Sequence, residues 1–219
     1  EVPRGVKYNG TMLNVEGLQP ILTANGVTHF SAQEVLELKN RRARKLVGAP
    51  RFAELPDEYR DSVINLGLYL ETIRKQASSI SGQEHPIRVL GWYRPGLSDS
   101  RRMGWNGDYN LAAGGTPPRR GRLGSAHIRA AGVDIRSGIG KHADLMTAIV
   151  ESWRETPSAA GVGWYLWGRA HVDVCHPGGA RARQWSSRLV RKRLKKSEVA
   201  LRANRQSERD FGFVASGRQ

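Results

Sequence analysis

Two segments of the chain combine an imidazole with a carboxylate at spacings that suit metal binding. His127 closes a loop rich in glycine and proline, and Asp134 follows seven residues later within an apolar stretch that predicts a strand. His171 and Asp173 alternate with apolar residues, and the side-chain period of two places both on one face of another strand. A carboxylate inside an apolar strand is costly unless it is paired or bound to a metal. These residues are therefore candidates for a functional site.

His127, Asp134 and His171 together have the composition of a catalytic zinc site. Two imidazoles and one carboxylate supply three ligands and leave the fourth tetrahedral position open. Zinc in such a site polarises a carbonyl group and lowers the pKa of bound water to about 7. Arg94 ends a further predicted strand, where its guanidinium could clamp a carboxylate through two hydrogen bonds. This combination indicates hydrolase chemistry.

The elements that must position these residues predict an α+β fold. A capping box that starts at Ser31 predicts a helix to about Arg41, and an apolar stripe at helical spacing predicts a longer helix over 59–78. A further helix is predicted over 141–153. Short strands are predicted at 87–93, 131–135, 161–165 and 170–174. We expect a small antiparallel sheet that carries the zinc site and packs against the N-terminal helices.

The chain divides into three predicted parts. Residues 1–29 have no sustained period and predict an arm with one short strand. Residues 30–187 predict the domain that carries the candidate zinc site, and residues 188–219 a basic tail. A basic helical pattern begins at about Gly179. The stretch from 97 to 124 is rich in glycine and arginine and predicts a long loop of the kind that is usually functional or mobile.

Composition limits the class of protein. A chain of 219 residues with 39% hydrophobic residues can bury one ordinary core, which excludes a wholly disordered or fibrous protein. Neither a membrane span nor the apolar core of a signal peptide is visible. Cys175 is the only cysteine, so an internal disulfide and a cysteine-based zinc site are excluded. The pair Cys175-His176 indicates a buried thiol rather than a nucleophile.

The charge balance favours a polyanionic partner. Lysine and arginine number 35 against 20 acidic residues, a net charge of +15. Residues 181–219 hold 12 of the basic residues and 3 of the acidic ones, which is +9 of that excess. Nucleic acid, an anionic envelope surface and a docking site in a larger assembly are all compatible with such a tail. We do not favour nucleic acid, because no recognised nucleic-acid motif accompanies the charge.

Other histidines and aromatic residues carry weaker signals. We expect His142 to be solvent-exposed at the start of a helix, and His29 and His85 to lie beside turns without a metal role. Core packing is the default expectation for Trp92, Trp164 and Trp167, and the alternative is that they form the walls of a groove that binds sugar or peptide.

Four short motifs in order resemble the zinc D-alanyl-D-alanine carboxypeptidase and murein endopeptidase family, whose fold is shared by the hedgehog signalling domain. The resemblance covers about residues 30–185. The motifs that carry it are Gly91-Trp92-Tyr93-Arg94-Pro95, Asn110 before Gly114-Gly115, Ser125-Ala126-His127 with Asp134, and His171-Val172-Asp173. Gly161-Val162-Gly163-Trp164-Tyr165 and Arg183-Gln184-Trp185 also look like the periplasmic murein endopeptidase branch.

The resemblance implies a role for each matching position. It implies that Zn²⁺ is bound by three side chains, that Arg94 holds a carboxylate or carbonyl of the substrate, and that Ser125 orients the His127 region through a hydrogen bond. It places Asn110 and Trp164 beside the ligands or the substrate. The implied zinc ligands are His127, Asp134 and His171.

The general base departs from the family pattern. Many members carry a Glu or Asp three residues before the last histidine ligand, and this chain has Gly168 there. We favour Asp173 as the general base, because it lies on the same strand face as His171 and could accept the proton of the attacking water. The alternative is that it only braces a ligand. Gly132 stands where the family usually has Ala, and the segment 97–108 is longer than expected.

The expected function is a zinc metallopeptidase that cuts the stem peptide or cross-link of bacterial peptidoglycan. Free carboxylates in that polymer provide a target for Arg94. A basic chain of this size resembles a phage endolysin or a wall-degrading module of a virion, which locates it at the bacterial envelope or in the virion. The alternative is a non-catalytic structural or binding module with the same fold, anchored in a phage virion by its basic tail. The glycine at position 168, where the family has a carboxylate, keeps this alternative open.

Overall fold

The structure is a computed structural model that describes residues 10–118, 124–156, 159–174 and 183–186. In this part of the chain, helices and short strands form the α+β fold that the sequence predicts. The helices are α1 (Val15–Ala24), α2 (Ala32–Leu36), α3 (Arg41–Val47), α4 (Arg60–Ser81), α5 (Leu97–Arg102), α6 (Tyr109–Ala112) and α7 (His142–Glu155). The strands are β1 (Met12–Leu13), β2 (Leu55–Pro56), β3 (Ile87–Gly91), β4 (Gly132–Ser137), β5 (Ala159–Trp164), β6 (Arg169–Val174) and β7 (Arg183–Ser186).

A five-stranded sheet with the order β3-β4-β6-β5-β7 forms the centre of the fold. The first four strands in this order are antiparallel to one another, as predicted. The outer strand β7 is parallel to β5. The sequence had predicted helix from about Gly179, so that prediction is wrong for residues 183–186. The tail 188–219 and the pair Cys175-His176 lie outside the described residues.

The two faces of the sheet have different tasks. Val133, Ile135 and Val172 are fully buried on one face, which packs against α4 and α7. The apolar stripe of α4 is buried there, and the Tyr69 hydroxyl on α4 donates to the Ile149 carbonyl on α7 at 3.4 Å. Because side chains alternate along a strand, Asp134 and His171 stand on the opposite face. The core therefore leaves this second face free to carry the polar residues.

The N-terminal region is more ordered than the predicted arm. The predicted short strand is present as β1, but α1 follows it and buries Leu18 and Leu22 completely. Asn14 begins α1, because its side chain accepts a hydrogen bond from the Gly17 amide at 2.9 Å. Leu18 and Leu22 of α1 thus belong to the core.

The capping box of α2 is confirmed, since the Ser31 and Glu34 side chains accept from each other's backbone amides. The helix ends at Leu36 rather than near Arg41. The Leu38 amide donates to the Arg51 carbonyl at 2.9 Å, and this contact draws the chain into an extended conformation. A tertiary hydrogen bond thus ends α2 at Leu36, although the local sequence pattern predicts helix beyond this residue.

The stretch predicted as a long loop contains α5 and α6. The Asn106 amide between them donates to the Val47 carbonyl at 2.9 Å, and the buried Asp99 belongs to α5. Residues 119–123 of this stretch lie outside the described part. Among the residues that the structure does describe, none of the helices is both long and apolar enough to cross a bilayer.

Candidate metal centre

His127, Asp134 and His171 meet on the open face of the sheet. Asp134 and His171 are direct cross-strand partners on β4 and β6. His127 comes from a 3₁₀ helix over residues 126–129, which leads into β4 through Ala130 in the left-handed conformation (φ 52°). One ligand atom from each residue lies within 4.8 Å of the other two. The sequence prediction that these three side chains form one cluster is confirmed.

The imidazole of His127 is held by the backbone of Trp92. Its Nδ1 lies 2.7 Å from the Trp92 carbonyl oxygen. Since a carbonyl can only accept, Nδ1 carries the hydrogen and Nε2 keeps its lone pair. Nε2 points to Asp134, 3.4 Å from Oδ1. Sequence reasoning missed the Trp92 carbonyl because every residue has one and no pattern marks it.

Asp134 is the central group of the cluster. Its Oδ1 lies 3.0 Å from Nδ1 of His171 and 3.4 Å from Nε2 of His127, and its Oδ2 accepts from the Arg94 guanidinium. Burial alone would raise the pKa of this carboxyl group. Hydrogen bonds and positive charge from the side chains around the carboxylate outweigh burial and hold the pKa of Asp134 well below its usual range. The group is therefore an anion, the form that binds a cation.

His171 lies between two carboxylates. Nδ1 faces Asp134 at 3.0 Å, and Nε2 faces Asp173 Oδ2 at 3.3 Å. Burial would lower the pKa of His171, but hydrogen bonds to both carboxylates raise it. In contrast, burial lowers the pKa of His127. A metal ion therefore competes with a proton for this ring, because only a neutral imidazole nitrogen is a ligand.

Arg94 lies against the cluster. Its backbone amide donates to the His127 carbonyl at 3.0 Å, and its side chain donates to Asp134. Gly91 makes room for this arrangement, since a Cβ there would lie 3.2 Å from an Arg94 terminal nitrogen. The predicted site residue Arg94 is thus brought to the cluster, where it binds the carboxylate of Asp134.

Glycine at two positions leaves room for the side chains of His171 and Asp173 over the neighbouring strands. A Cβ at Gly132 would lie 2.8 Å from the Ala126 Cβ and 2.9 Å from Cε1 of His171. A Cβ at Gly161 would lie 2.6 Å from Oδ1 of Asp173. Position 132, where the resembled family usually has Ala, therefore has no space for that side chain unless the His171 ring or its neighbours shift.

The donor chemistry fits a divalent first-row metal ion. Two imidazoles and a carboxylate are the ligands that Zn²⁺ takes in catalytic sites, and Fe²⁺ also uses such a set. The three donors are nearly buried, and the hydrogen bond from Trp92 and the contact with Asp173 lie behind the two histidines, as outer partners of metal ligands do. The residues could hold a metal ion, and the donor set alone does not select the metal.

Gly168 stands at the position where the resembled family carries a Glu or Asp. Gly168 has φ +65°, and a Cβ there would lie 2.2 Å from Cγ of His142. His142 is therefore partly buried against Gly168 and not solvent-exposed, which corrects the prediction for this residue. Asp173 is 1% exposed and contacts His171 directly. Its geometry suits the bracing of a ligand.

The structure also locates the remaining predicted site residues, Ser125, Asn110 and Trp164. Ser125 makes backbone hydrogen bonds to Thr116 and Ile128, and no side-chain bond from it is present in the described residues. Asn110 is fully buried, and its side chain donates to the Thr116 carbonyl at 3.2 Å, which ties the 114–116 loop to α6. Trp164 is 3% exposed and pairs with Ala170, on the core face of the sheet. Trp164 thus packs in the core rather than lining a groove.

The other candidate aromatic and imidazole groups are also located. Trp92 is fully buried and donates to the Ala130 carbonyl, whereas Trp167 is 72% exposed at the tip of the β5–β6 hairpin. His29 contacts Glu71 at 2.7 Å, and His85 is fully buried. Neither belongs to the one metal-competent group that the described residues contain.

Comparison of the chain with family models, with curated proteins and with solved structures found no match. The functional argument therefore rests on the residues of this chain and their geometry.

Proposed function

We propose that the protein is a zinc-dependent peptidase that hydrolyses a peptide bond in the stem peptide or cross-link of bacterial peptidoglycan. The observation that carries this proposal is the convergence of His127, Asp134 and His171 on one sheet face, with Arg94 beside them. The order of the motifs along the chain, which resembles the zinc carboxypeptidase and murein endopeptidase family, supports the choice of substrate.

The residues of the chain divide the work. A Zn²⁺ ion bound by His127, Asp134 and His171 would supply a Lewis acid for a peptide carbonyl and make water nucleophilic near neutral pH. The Trp92 carbonyl accepts a hydrogen bond from Nδ1 and fixes the His127 ring, so that Nε2 is the ligand atom available to the metal. Arg94 holds Asp134 with one terminal nitrogen, and its other N–H groups remain for a substrate carboxylate or a developing oxyanion.

Asp173 supports His171 in this proposal. Its Oδ2 accepts from Nε2 of the ring and leaves Nδ1 to face the cluster. Whether Asp173 also accepts the proton of the attacking water stays a prediction, which the Asp173 variants in the Discussion address.

The wider setting is part of the same proposal. The net charge of +15 favours attraction to the anionic bacterial envelope. A phage endolysin or virion-borne module fits this charge, with the basic residues 188–219 binding an envelope or virion partner. That segment lies outside the described residues, so the charge alone supports this part.

Metal analysis and wall hydrolysis together test the proposal. Elemental analysis of purified protein is expected to find about one zinc per chain in the wild type and in His29→Ala, and little in His127→Ala. His29 is a matched control because its ring contacts Glu71 on the surface, outside the cluster. Turbidity of purified peptidoglycan is expected to fall with the wild type and to stay constant with a chelator. A wild type that binds no metal would overturn the ligand set.

A second candidate function is a non-catalytic binding module that keeps the fold and the metal. Gly168 favours it, because the His142 ring occupies the space next to this residue and excludes a side chain there. A zinc-loaded wild type that leaves peptidoglycan and soluble muropeptides intact would favour this candidate. Chelator-sensitive release of new amino or carboxyl termini would exclude it.

A further inference from the structure

Three arginines form a row across the sheet. Arg88 on β3 pairs directly with Arg136 on β4, and Arg136 pairs directly with Arg169 on β6. Directly paired residues of antiparallel strands project to the same face, with Cβ atoms roughly 4.5–5.5 Å apart. We call these three residues the arginine row. Arg88 and Arg169 are exposed, and Arg136 is partly buried.

The arginine row lies on the same face as the candidate metal centre. Arg136 is two residues from Asp134 on β4, and Arg169 is two residues from His171 on β6. Because side chains alternate along a strand, both pairs share a face, and two residues of strand span roughly 6.6 Å. The arginine row therefore runs beside the cluster. The separation is short enough for one bound peptide to contact both the cluster and the row.

The row is not explained by the stability of the fold. Like charges directly opposite each other on a sheet are destabilising, and Arg136 faces an arginine on each side. Elsewhere in the described structure, arginines form ion pairs with carboxylates, as Arg51, Arg60 and Arg74 do. In those same described residues, no carboxylate forms an ion pair with a member of the row. Three adjacent unneutralised guanidinium groups next to a candidate active site require another reason.

We propose that the arginine row binds carboxylate groups of an acidic peptide substrate next to the scissile bond. This inference rests on the proposed peptidase function and names the feature of the substrate that the site selects. Guanidinium groups bind carboxylates through paired hydrogen bonds. A stem peptide of peptidoglycan carries several free carboxylates, so a peptide with its scissile carbonyl at the cluster places an anionic group over the row.

The charge pattern of the face favours a peptide over a nucleic acid. Beyond the row stand Asp134 and then Asp173, so the positive strip is short and is followed by carboxylates. A polyphosphate backbone laid along these strands would meet those negative groups directly beyond the three guanidiniums of the row. A peptide with its anionic group on one side of the scissile bond matches the order of positive and then negative side chains along this face.

Binding of soluble muropeptides to the full-length protein tests the inference. The probe is a disaccharide peptide released from purified peptidoglycan by a muramidase, compared with the same compound after conversion of its carboxylates to amides. The row variant is the triple substitution Arg88→Gln, Arg136→Gln and Arg169→Gln. The matched control Arg41→Gln, Arg42→Gln and Lys45→Gln also removes three positive charges, from exposed positions of α3.

Calorimetric titration is expected to give a dissociation constant at least tenfold higher for the row variant than for the wild type. The amidated probe is expected to bind the wild type as weakly as the free probe binds the row variant. The control variant is expected to keep the wild-type constant and its zinc content. Arg136→Lys, which retains the charge but not the paired hydrogen bonds, is expected to give an intermediate constant and guards against misfolding of the triple variant.

Two contrary results are distinguishable. A wild type that cleaves muropeptides while the row variant binds both probes with unchanged constants would overturn the role of the row and leave the peptidase proposal standing. A wild type that neither binds nor cleaves muropeptides would overturn both. If a single-stranded oligonucleotide then binds the wild type tightly and the row variant weakly, the row belongs to phosphate recognition and the carboxylate assignment is wrong.

Discussion

Asp134 and His171 are direct cross-strand partners, and this pairing sets Oδ1 of the carboxylate 3.0 Å from Nδ1 of the ring. The two residues are 37 positions apart in the chain. The contact joins the two central strands of the antiparallel part of the sheet on their open face. It also couples the His127–Asp134–His171 cluster to the folding of the sheet, because the cluster exists only when β4 and β6 pair in this register.

Asp134→Asn is expected to remove metal binding. The substitution keeps the size of the side chain but removes the anion that contacts both histidines. We expect a loss of zinc affinity larger than the roughly 10–100-fold cost of losing a residue behind a ligand, measured by competition with a chromophoric chelator. Asp61→Asn on the exposed start of α4 serves as the control. Unchanged affinity in Asp134→Asn would exclude this carboxylate as a ligand.

Two substitutions at Asp173 separate the bracing role from the general base. Asp173→Asn keeps an oxygen that can accept from Nε2 of His171, whereas Asp173→Ala does not. If Asp173 braces the ring, the Asn variant is expected to keep most zinc affinity and hydrolysis, and the Ala variant to lose roughly 10–100-fold in affinity. Zinc retained with hydrolysis lost in the Asn variant would instead assign the base to Asp173.

Gly132→Ala is expected to disturb the metal centre although it adds a single methyl group. The new Cβ would lie 2.9 Å from Cε1 of His171 and 2.8 Å from the Ala126 Cβ, distances that force a shift. We expect a stability loss of about 1–3 kcal/mol by urea unfolding and lower zinc affinity. Gly17→Ala on exposed α1 is the matched control, because its Cβ meets nothing closer than 3.4 Å.

His85 is expected to make folding stability depend on pH. The ring is fully buried, with Lys141, His142 and Asp144 as the charged and titratable groups that act on it, and burial lowers its pKa. The unfolded chain therefore binds the proton more tightly, so stability is complete above the ordinary histidine pKa of about 6.5 and falls as pH drops below it. Urea unfolding at pH 7.5 and pH 5 is expected to give a smaller difference for His85→Leu than for the wild type.

Relief of the repulsion in the arginine row is expected to stabilise the sheet. Arg136→Thr removes two like-charge neighbours, at about 0.2–1 kcal/mol each, and threonine suits a strand. Arg88→Thr on the edge strand removes one neighbour and is expected to gain less. Equal or lower unfolding free energies for Arg136→Thr would show that the repulsion is screened in the folded state.

Local patterns in the sequence predicted several of the elements and the candidate ligands. The apolar stripe predicted α4, the capping box predicted the start of α2, and the alternation in His171-Val172-Asp173 predicted a polar face on β6. These features depend on side-chain periods within one segment, and burial of apolar residues enforces such periods wherever a core forms. The ligand types followed in turn, because an acidic residue in a buried strand needs a partner.

Only the tertiary structure decided which distant groups meet. Strand register brought Arg88, Arg136 and Arg169 into one row, and a backbone carbonyl at Trp92 set the tautomer of His127. Contacts with Arg51 ended α2 early, and core packing ordered α1 where the local pattern was weak. Register and loop docking depend on the summed packing of the whole chain. A single segment therefore carries too little information to specify them.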